Sequence, residues 1–255
     1  MPKGFDLHAM RAIKERELPE VHALLGRCIE RKRASHAFPP VGLASGVIAE
    51  IKKASPSRGQ ISGAPPAGQA AIYERGGARA LSVLTDGNFF GGSWADLWSV
   101  ADSTDLPLLC KEFIFFEEQI DLAECLGADM VLLIARVLSP ERLRALHERA
   151  LRLAMTPLVE VHSEEELPAV LGAGPRCVLV NARNLETLAI EEETAARAFA
   201  KLPAGVTGVW ASGINGAADI AEVRGKTCAR FFLVGTSLMK SPAPEKLLRE
   251  MANVC

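Results

Sequence analysis

A carboxylate and an ammonium, Glu50 and Lys52, close an apolar run that begins at Val47. Because side chains alternate between the two faces of a strand, both charged groups share a face with Ile48, a residue suited to a core. Burial of such charges is unfavourable unless they are paired or used in chemistry. The pattern therefore predicts a buried strand that delivers a charged pair to the mouth of a pocket. The alternative is an edge strand with both charges solvated.

Three loops with polar residues and glycine favour the binding of an anion. They are Ala54-Ser-Pro-Ser-Arg-Gly59, Ser212-Gly-Ile-Asn-Gly216 and Val234-Gly-Thr-Ser237, and each follows an apolar run. Glycine lets backbone N–H groups approach phosphate oxygens closely, often beside the N-terminus of a helix. The last two loops predict a phosphate site that Lys52 or residues 55–58 could complete. The alternative is that the glycines are ordinary turn residues.

Polar side chains also follow four other apolar runs. Each lies two positions after an apolar residue that is expected to point into the core, so side-chain alternation places both residues on the same face. The pairs are Leu109 with Lys111, Leu158 with Glu160, Leu179 with Asn181 and Trp210 with Ser212. His162 and Arg183 continue two of these series. If the runs are parallel strands of one barrel, their carboxyl ends meet at a single rim, so the polar groups predict an active site there. The same parity assigns the Trp210 side chain to the interior.

The chain has eight short apolar runs separated by helix-like segments. These runs are the candidate strands that would position the polar residues. Several segments begin at residues that suit a first helical turn, such as Ser139-Pro140. Apolar strands that alternate with helices indicate a parallel sheet covered on both faces, and eight such units fit an α/β fold of the (β/α)8 TIM-barrel type. The predicted strands are Val47–Ile51, Leu81–Leu84, Leu106–Leu109, Met130–Ile134, Leu158–Val161, Cys177–Val180, Val206–Trp210 and Phe231–Val234.

We expect residues 1–255 to form a single domain, with a barrel in residues 46–255 and a helical extension in residues 1–45. In the extension, apolar residues recur at helical spacing among charges. The sequence Phe38-Pro39-Pro40 should end this helix, because proline cannot continue it. The basic cluster from Arg27 to Arg33 is interpreted as a solvated helix face. Helices on the outside of the barrel could pair two copies in a homodimer or remain solvated.

The composition argues against several other classes of protein. A net charge of −2 is not that of a typical nucleic-acid binder, which presents a strongly basic face. No apolar run approaches the ~20 residues of a membrane span, and the N-terminus lacks the apolar segment of a signal peptide. The six cysteines are scattered without a CxxC pair, which indicates neither a zinc site nor a disulfide framework. These features predict a protein of the reducing cytoplasm.

Segments from about residue 44 to the C-terminus resemble, in order, the indole-3-glycerol-phosphate synthase family. The matching segments are Glu50-Ile-Lys-Lys-Ala-Ser-Pro-Ser-Arg-Gly59, Leu84-Thr-Asp86, Lys111-x-Phe113-Ile114, Gly127-Ala-Asp129, Val159-Glu-Val-His162, Asn181-x-Arg183, Ser212-Gly-Ile214 and Leu233-Val-Gly235. The resemblance implies closure of the indole ring in tryptophan biosynthesis. The implied substrate is a small aryl-amino sugar phosphate, 1-(2-carboxyphenylamino)-1-deoxyribulose 5-phosphate, which loses carbon dioxide and water without a metal or an organic cofactor.

Carried over position by position, the resemblance implies a role for each polar residue of the rim. Lys111 resembles the general acid that protonates the ketone oxygen, and Glu160 resembles the carboxylate that takes the proton lost in dehydration. Glu50 would orient these groups, Lys52 would hold the substrate carboxylate or phosphate, and Asn181 would fix the ring amine or a hydroxyl. The residues implied to line the substrate and phosphate region are Ser55, Arg183, Ser212, Gly213, Gly235 and Thr236.

The seventh strand departs from the family pattern. The residue before its Ser-Gly is typically glutamate, preceded by a small residue, whereas this chain has Ala211 preceded by Trp210. A carboxylate of the site is therefore missing. Side-chain alternation along the strand turns the indole of Trp210 into the barrel. There it could fill the core or narrow the part of the pocket that would hold the aryl ring of the implied substrate.

Three other functions fit the same residues. The missing carboxylate could mark a paralogue that acts on a modified anthranilate-derived or other aryl-aminated sugar phosphate. It could also mark a pseudoenzyme that only binds phosphosugars. Lys52 and Lys111 could instead serve a Schiff-base aldolase, in which borohydride would trap a covalent adduct.

Overall fold

Eight parallel strands close into a barrel in the computed structural model, which describes residues 7–28, 34–39, 45–55, 59–60 and 63–255. Each strand pairs with its neighbours along the chain, and the first pairs with the last to complete the ring. The predicted (β/α)8 barrel is confirmed. The strands are β1 Gly46–Ile51, β2 Ala80–Leu84, β3 Leu108–Lys111, β4 Met130–Ile134, β5 Thr156–Val161, β6 Cys177–Asn181, β7 Thr207–Ala211 and β8 Phe231–Val234.

Helices follow the strands and cover the outside of the barrel, and their local sequences explain where they begin. At the start of one of them the Ser139 hydroxyl accepts a hydrogen bond from the Arg142 N–H at 3.2 Å, and Pro140 occupies the first turn. Within the described residues, no helix has the length and apolar character needed to span a membrane. The helices are α1 Leu7–Leu25, α2 Pro66–Arg75, α3 Gly87–Phe90, α4 Trp94–Ala101, α5 Glu117–Cys125, α6 Pro140–Arg152, α7 Leu167–Leu171, α8 Glu192–Ala200, α9 Ala217–Lys226, α10 Thr236–Lys240 and α11 Pro244–Ala252.

Alternation of side chains along the strands divides the apolar residues into two cores. Ile48 and Leu109 point into the barrel, where they belong to the inner core. Val47 and Ala49 point outward and pack in the layer between strands and helices. Because Glu50 lies two positions beyond Ile48, the same alternation turns its side chain inward at the carboxyl end of β1.

The N-terminal extension reaches both ends of the barrel, and its helix is shorter than predicted. α1 ends at Leu25, just before Gly26, whereas the sequence analysis placed the end at Phe38. Phe38 instead closes the amino-terminal end of the barrel, where its ring lies 4.9 Å from the Phe231 ring, centroid to centroid. Its carbonyl oxygen accepts a hydrogen bond from the Thr156 hydroxyl at 3.2 Å.

One pair of cysteines differs from the sequence-based expectation. Cys28 and Cys125 form a disulfide with a Cα–Cα distance of 6.3 Å, although 97 residues separate them in the chain. The bond joins the segment after α1 to the last residue of α5. Spacing along the chain could not predict it, because the two residues meet only when α1 packs beside α5.

Candidate active site

A pocket of about 490 Å³ opens at the carboxyl ends of the barrel strands. This volume lies within the range of about 300–1,000 Å³ that is usual for small-molecule sites. The sequence-predicted residues that line it are Glu50, Lys52, Lys111, Glu160, Asn181, Arg183, Ser212, Gly213, Gly235 and Thr236. Ser55 lies in a short antiparallel strand after β1, and its side chain is outside the described part of the molecule, as are residues 56–58. The rim therefore gathers side chains from β1, β3, β5 and β6 and from the loops after β7 and β8.

Glu50 and Lys52 form the charged pair that the alternation along β1 predicted. The Lys52 Nζ lies 2.7 Å from the Glu50 Oε1, and both side chains are largely buried. Gly235, in the loop after β8, leaves room for this pair. A Cβ atom at position 235 would lie only 2.4 Å from the Glu50 Oε1 and 3.0 Å from the Lys52 Nζ.

Lys111 and Glu160 form a second charged pair across the pocket. The Lys111 Nζ lies 3.7 Å from the Glu160 Oε2, and the Asn181 amide donates a hydrogen bond to the Glu160 Oε1 at 3.0 Å. The Glu160 Oε2 accepts no hydrogen bond from any described residue. One carboxylate oxygen is thus held in place, and the other faces the ammonium with its hydrogen-bonding capacity unused by the described residues.

The charges around Glu160 favour its ionised form despite its burial. Burial alone would raise the pKa of this carboxyl, but Lys111, His162 and Asn181 outweigh that effect and lower it to about 2. For His162, burial would lower the pKa, yet Glu160 and Glu166 raise it to about 9. At neutral pH Glu160 is therefore a carboxylate and His162 an imidazolium, and the Lys111 Nζ lies beside the other oxygen of the carboxylate.

Asn181 links the fifth, sixth and seventh strands at the rim. Besides its bond to Glu160, its Oδ1 accepts hydrogen bonds from the Ser212 hydroxyl at 2.8 Å and from the Arg183 backbone N–H at 3.1 Å. The Arg183 guanidinium donates to the Leu188 carbonyl in its own loop at 2.7 Å. These bonds fix the amide orientation of Asn181 and hold the loop after β6 over the pocket.

The predicted inward position of Trp210 is wrong. Its indole packs in the outer core against the Phe199 ring, with centroids 5.5 Å apart, and its Nε1 donates to the Ser212 carbonyl at 2.9 Å. Ala211 is the residue that points inward and lines the pocket. Parity failed because Ser212 has a positive φ of 71° and therefore does not continue the strand alternation. The indole therefore does not enter the pocket, and Ala211 contributes a methyl group to the pocket wall.

The sequence analysis missed a buried ion cluster that joins α1 to the rim, formed by Lys14, Asp86 and Glu112. The Lys14 Nζ lies 2.6 Å from an Asp86 oxygen and 2.8 Å from a Glu112 oxygen, and none of the three side chains is more than 1% exposed. Burial raises the pKa of Glu112 to about 7, although Lys14 opposes the shift. Lys14 gave no signal in the sequence, since a lysine on a polar helix is normally solvated.

Apolar side chains form the other wall of the pocket, and they too were not predicted. Phe90 and Phe113, whose ring centroids are 6.3 Å apart, line the pocket together with Leu188 and Ile190. Such a wall suits a flat aromatic ring between charged groups. Among the described residues, no three His, Cys, Asp or Glu side chains are grouped so that they could hold a metal ion.

Comparison with known sequences gives a consistent result. The sequence model of the family described as indole-3-glycerol phosphate synthase matches residues 15–251. The protein of that name from Nocardioides sp. is 45% identical over 211 residues, which cover 82% of this chain and 81% of the relative. The protein of that name from Leifsonia xyli is 41% identical over 247 residues, which cover 96% and 94%.

Comparison with solved structures supports the barrel architecture. A 3-hexulose-6-phosphate synthase superposes with a TM-score of 0.66 at 15% identity, covering 82% of this chain and 99% of that one. A thiamine phosphate pyrophosphorylase from Pyrococcus furiosus gives a TM-score of 0.63 at 14% identity, covering 83% and 95%. At such low identities the likeness shows the fold alone.

Proposed function

Because the chain belongs to the indole-3-glycerol phosphate synthase family, we propose that its pocket closes the indole ring of 1-(2-carboxyphenylamino)-1-deoxyribulose 5-phosphate. Members of this family are decarboxylating lyases of tryptophan biosynthesis. The observation that carries the proposal is the pair of Lys111 and Glu160, 3.7 Å apart in one pocket with an aromatic wall. Such a pair supplies the acid and the base that ring closure and dehydration require.

Lys111 serves as the acid in the first step. The aryl carbon that bears the carboxylate attacks the ketone carbon, and negative charge develops on the ketone oxygen. A positioned ammonium stabilises that charge and donates a proton, so the oxygen becomes a hydroxyl. The new ring then loses carbon dioxide, and the electron pair of the broken bond restores aromaticity.

Glu160 serves as the base in the second step. The hydroxyl leaves as water after it receives a proton, and the ring loses a proton to a carboxylate. The open Oε2 of Glu160 faces Lys111 and is suited to this transfer. Glu50 orients the charged groups through its bond to Lys52, and Asn181 holds Glu160 while its amide fixes the ring amine or a hydroxyl.

The phosphate of the substrate would bind at the side of the rim that the last two strands form. Gly213, with a φ of 81°, and Gly235 allow close approach of backbone N–H groups, and Thr236 begins the short helix α10. Lys52 and Arg183 supply positive charge to the same pocket. Ser212 and Ser55 complete the proposed substrate region.

The direct test is to supply the carboxyphenylamino-deoxyribulose phosphate and to follow indole absorbance and fluorescence. We expect product without added metal or cofactor. No product, together with tight binding of a phosphosugar, would support a pseudoenzyme instead. A covalent adduct after borohydride treatment would support an aldolase.

A second candidate function rests on Ala211, whose methyl group occupies the place of a family carboxylate. The added space suits a substrate with a substituted aryl ring. Substrates prepared from anthranilate and from methylated anthranilates would separate the two candidates by their kcat/KM. We expect the unsubstituted compound to react faster, and a preference for a methylated one would favour the paralogue.

Restoring the carboxylate should accelerate the enzyme. We expect Ala211→Glu to raise kcat for the unsubstituted substrate about tenfold, since a positioned acid–base group contributes at least that much. Ala211→Gln is the matched control, because it adds the same bulk without the charge and should not increase kcat. A slower Ala211→Glu enzyme would contradict this expectation and indicate a pocket adapted to another ring.

The close approach of Gly235 to the first charged pair gives a further prediction. Gly235→Ala should lower kcat/KM by about tenfold to a hundredfold, because the new methyl group displaces Glu50 from Lys52 and small misplacements in a site are costly. Gly225→Ala in α9 is the control, since no atom outside its helix lies within 4 Å of the added Cβ. It should leave the kinetics unchanged. Equal kinetics for both variants would show that the spacing at Gly235 is unimportant.

A further inference from the structure

The proposed reaction consumes one proton from water in each turnover, and this inference rests on that proposed function. The ketone oxygen receives one proton in ring closure, and the departing hydroxyl receives another. The ring returns one proton to a base during dehydration, and loss of carbon dioxide moves no proton. Two donations and one return leave a net uptake of one proton, which the solvent must supply once in each turnover.

The catalytic pair is poorly placed to obtain that proton directly. The Glu160 side chain is 1% exposed, and the Lys111 side chain is 18% exposed even in the open pocket. A bound substrate would cover the mouth above them. A path through the segment after β5, whose residues His162 and Glu166 do not line the pocket, would remain available with substrate bound.

His162 lies behind Glu160, and no role has been assigned to it so far. Its Nε2 is 3.2 Å from the Glu160 Oε1, and its Nδ1 is 3.9 Å from the Glu166 Oε2. A small rotation of the ring or one bridging water would close the second gap. The Glu166 Oε2 also accepts the His162 backbone N–H at 3.0 Å, so the two residues are fixed relative to each other.

Exposure increases steadily along this chain of side chains. It rises from 1% at Glu160 and 3% at His162 to 16% at Glu166 and 26% at Arg136. Arg136 donates to the Glu166 Oε1 at 2.8 Å and holds that carboxylate at the surface end. The four side chains therefore form a series from the buried base to the surface in which negative and positive groups alternate, and within the described residues neither ring nitrogen of His162 is committed to a hydrogen bond.

We propose that His162 is a proton-relay residue that carries the consumed proton from solvent at Glu166 to the catalytic pair. After Lys111 has protonated the ketone oxygen, an N–H bond of the His162 imidazolium breaks and an O–H bond forms on Glu160. The carboxyl group then rotates about its Cγ–Cδ bond, which turns the protonated oxygen toward Lys111, and passes this proton to the free amine, which becomes an ammonium again. Neutral His162 then regains a proton from water at the Glu166 side, and no electrons are exchanged with any other reactant.

The restored ammonium of Lys111 protonates the departing hydroxyl. Glu160 collects the proton that the ring loses and returns it to Lys111, which completes the cycle. The overall transfer, from an imidazolium to a lysine amine, follows the ordinary order of basicity. Glu160 holds the proton only briefly, because its surroundings keep the pKa of its carboxyl low.

The test is to remove the imidazole and to supply it again in solution. In His162→Ala we expect kcat to fall about tenfold to a hundredfold in a dilute, bulky buffer, with little change in KM. Added imidazole should raise kcat of this variant toward the parent value and leave the parent enzyme unaffected. The solvent deuterium isotope effect on kcat should increase in the variant, because proton delivery has become limiting.

A second variant tests whether the effect of His162→Ala is caused only by a loss of structure. Glu166→Gln keeps the side-chain size but interrupts the outer end of the relay, so it should show the same increase in isotope effect. His147→Gln is the matched control, since this buried histidine lies on α6 and does not line the pocket. It should change neither the isotope effect nor the response to imidazole.

Two results would overturn the relay while the parent enzyme still makes product. One is an unchanged kcat in His162→Ala. The other is a reduced kcat that does not respond to imidazole and keeps the parent isotope effect, which would make His162 a positioning residue for Glu160. A parent enzyme that forms no indole would overturn the proposed function and the relay with it.

Discussion

Lys111→Ala should lower kcat for indole formation by about two to four orders of magnitude, the usual contribution of a positioned acid. The ammonium lies 3.7 Å from Glu160, and no other described lysine lines the pocket except Lys52, which is bound to Glu50 at 2.7 Å. Its loss removes both the proton donor and the charge that stabilises the ketone oxygen. At about 1.4 kcal/mol per factor of ten, the effect corresponds to roughly 3–5 kcal/mol of transition-state stabilisation. Steady-state kinetics with the purified variant measure it.

Lys53→Ala is the matched control for this experiment. Lys53 follows Lys52 directly, but its ammonium is bound to Asp96 at 2.7 Å outside the pocket. We expect its kcat to stay within about threefold of the parent, because surface ion pairs contribute little. Glu160→Gln should resemble Lys111→Ala, since it removes the base. A fully active Lys111→Ala enzyme would show that the acid has been assigned to the wrong residue.

Lys14→Met should lower the free energy of unfolding by about 3–5 kcal/mol, the usual cost of breaking a buried ion pair. The substitution leaves Asp86 and Glu112 buried without their shared cation. Urea unfolding measures the loss. We propose that residues 1–45 and the barrel form one domain, so the parent should unfold in a single cooperative transition.

Two further variants separate the buried cluster from the surface of α1. Arg16→Met changes an exposed cation on the same helix and should alter stability by less than about 0.5 kcal/mol. In Lys14→Met, added replacements Asp86→Asn and Glu112→Gln remove the uncompensated charges and should recover part of the lost stability. A Lys14→Met protein as stable as the parent would contradict the role assigned to the cluster.

The strands and their inward residues could be predicted because they depend on local alternation. Ile48 is apolar and faces the core, so Glu50 and Lys52 are expected on the same side of the strand. Leu158 determines the side of Glu160 in the same way, and neither prediction requires a contact with a distant residue. The same rule failed at Trp210 because the positive φ of Ser212 ends the alternation, and the sequence does not encode that turn in a glycine. The inward position that Ala211 occupies was therefore assigned to Trp210, one residue too early.

Contacts between distant segments could not be predicted by such rules. Lys14 resembles any solvated lysine of a helix until α1 lies across the ends of β2 and β3. Cys28 and Cys125 are likewise brought together only by the packing of α1 against α5. Phe38 closes the barrel from a segment that periodicity assigned to a helix. In each case the decisive partner is far away in the chain and has no spacing that marks it.

The attachment of α1 to the rim also bears on the design of inhibitors. Glu112 is bound to Lys14 and directly follows Lys111 in the chain, and its other oxygen accepts the Thr85 hydroxyl at 3.0 Å. Asp86 and Glu112 also line the pocket, so a compound that separates α1 from the barrel would expose two carboxyl groups in the pocket wall beside Lys111, the proposed acid.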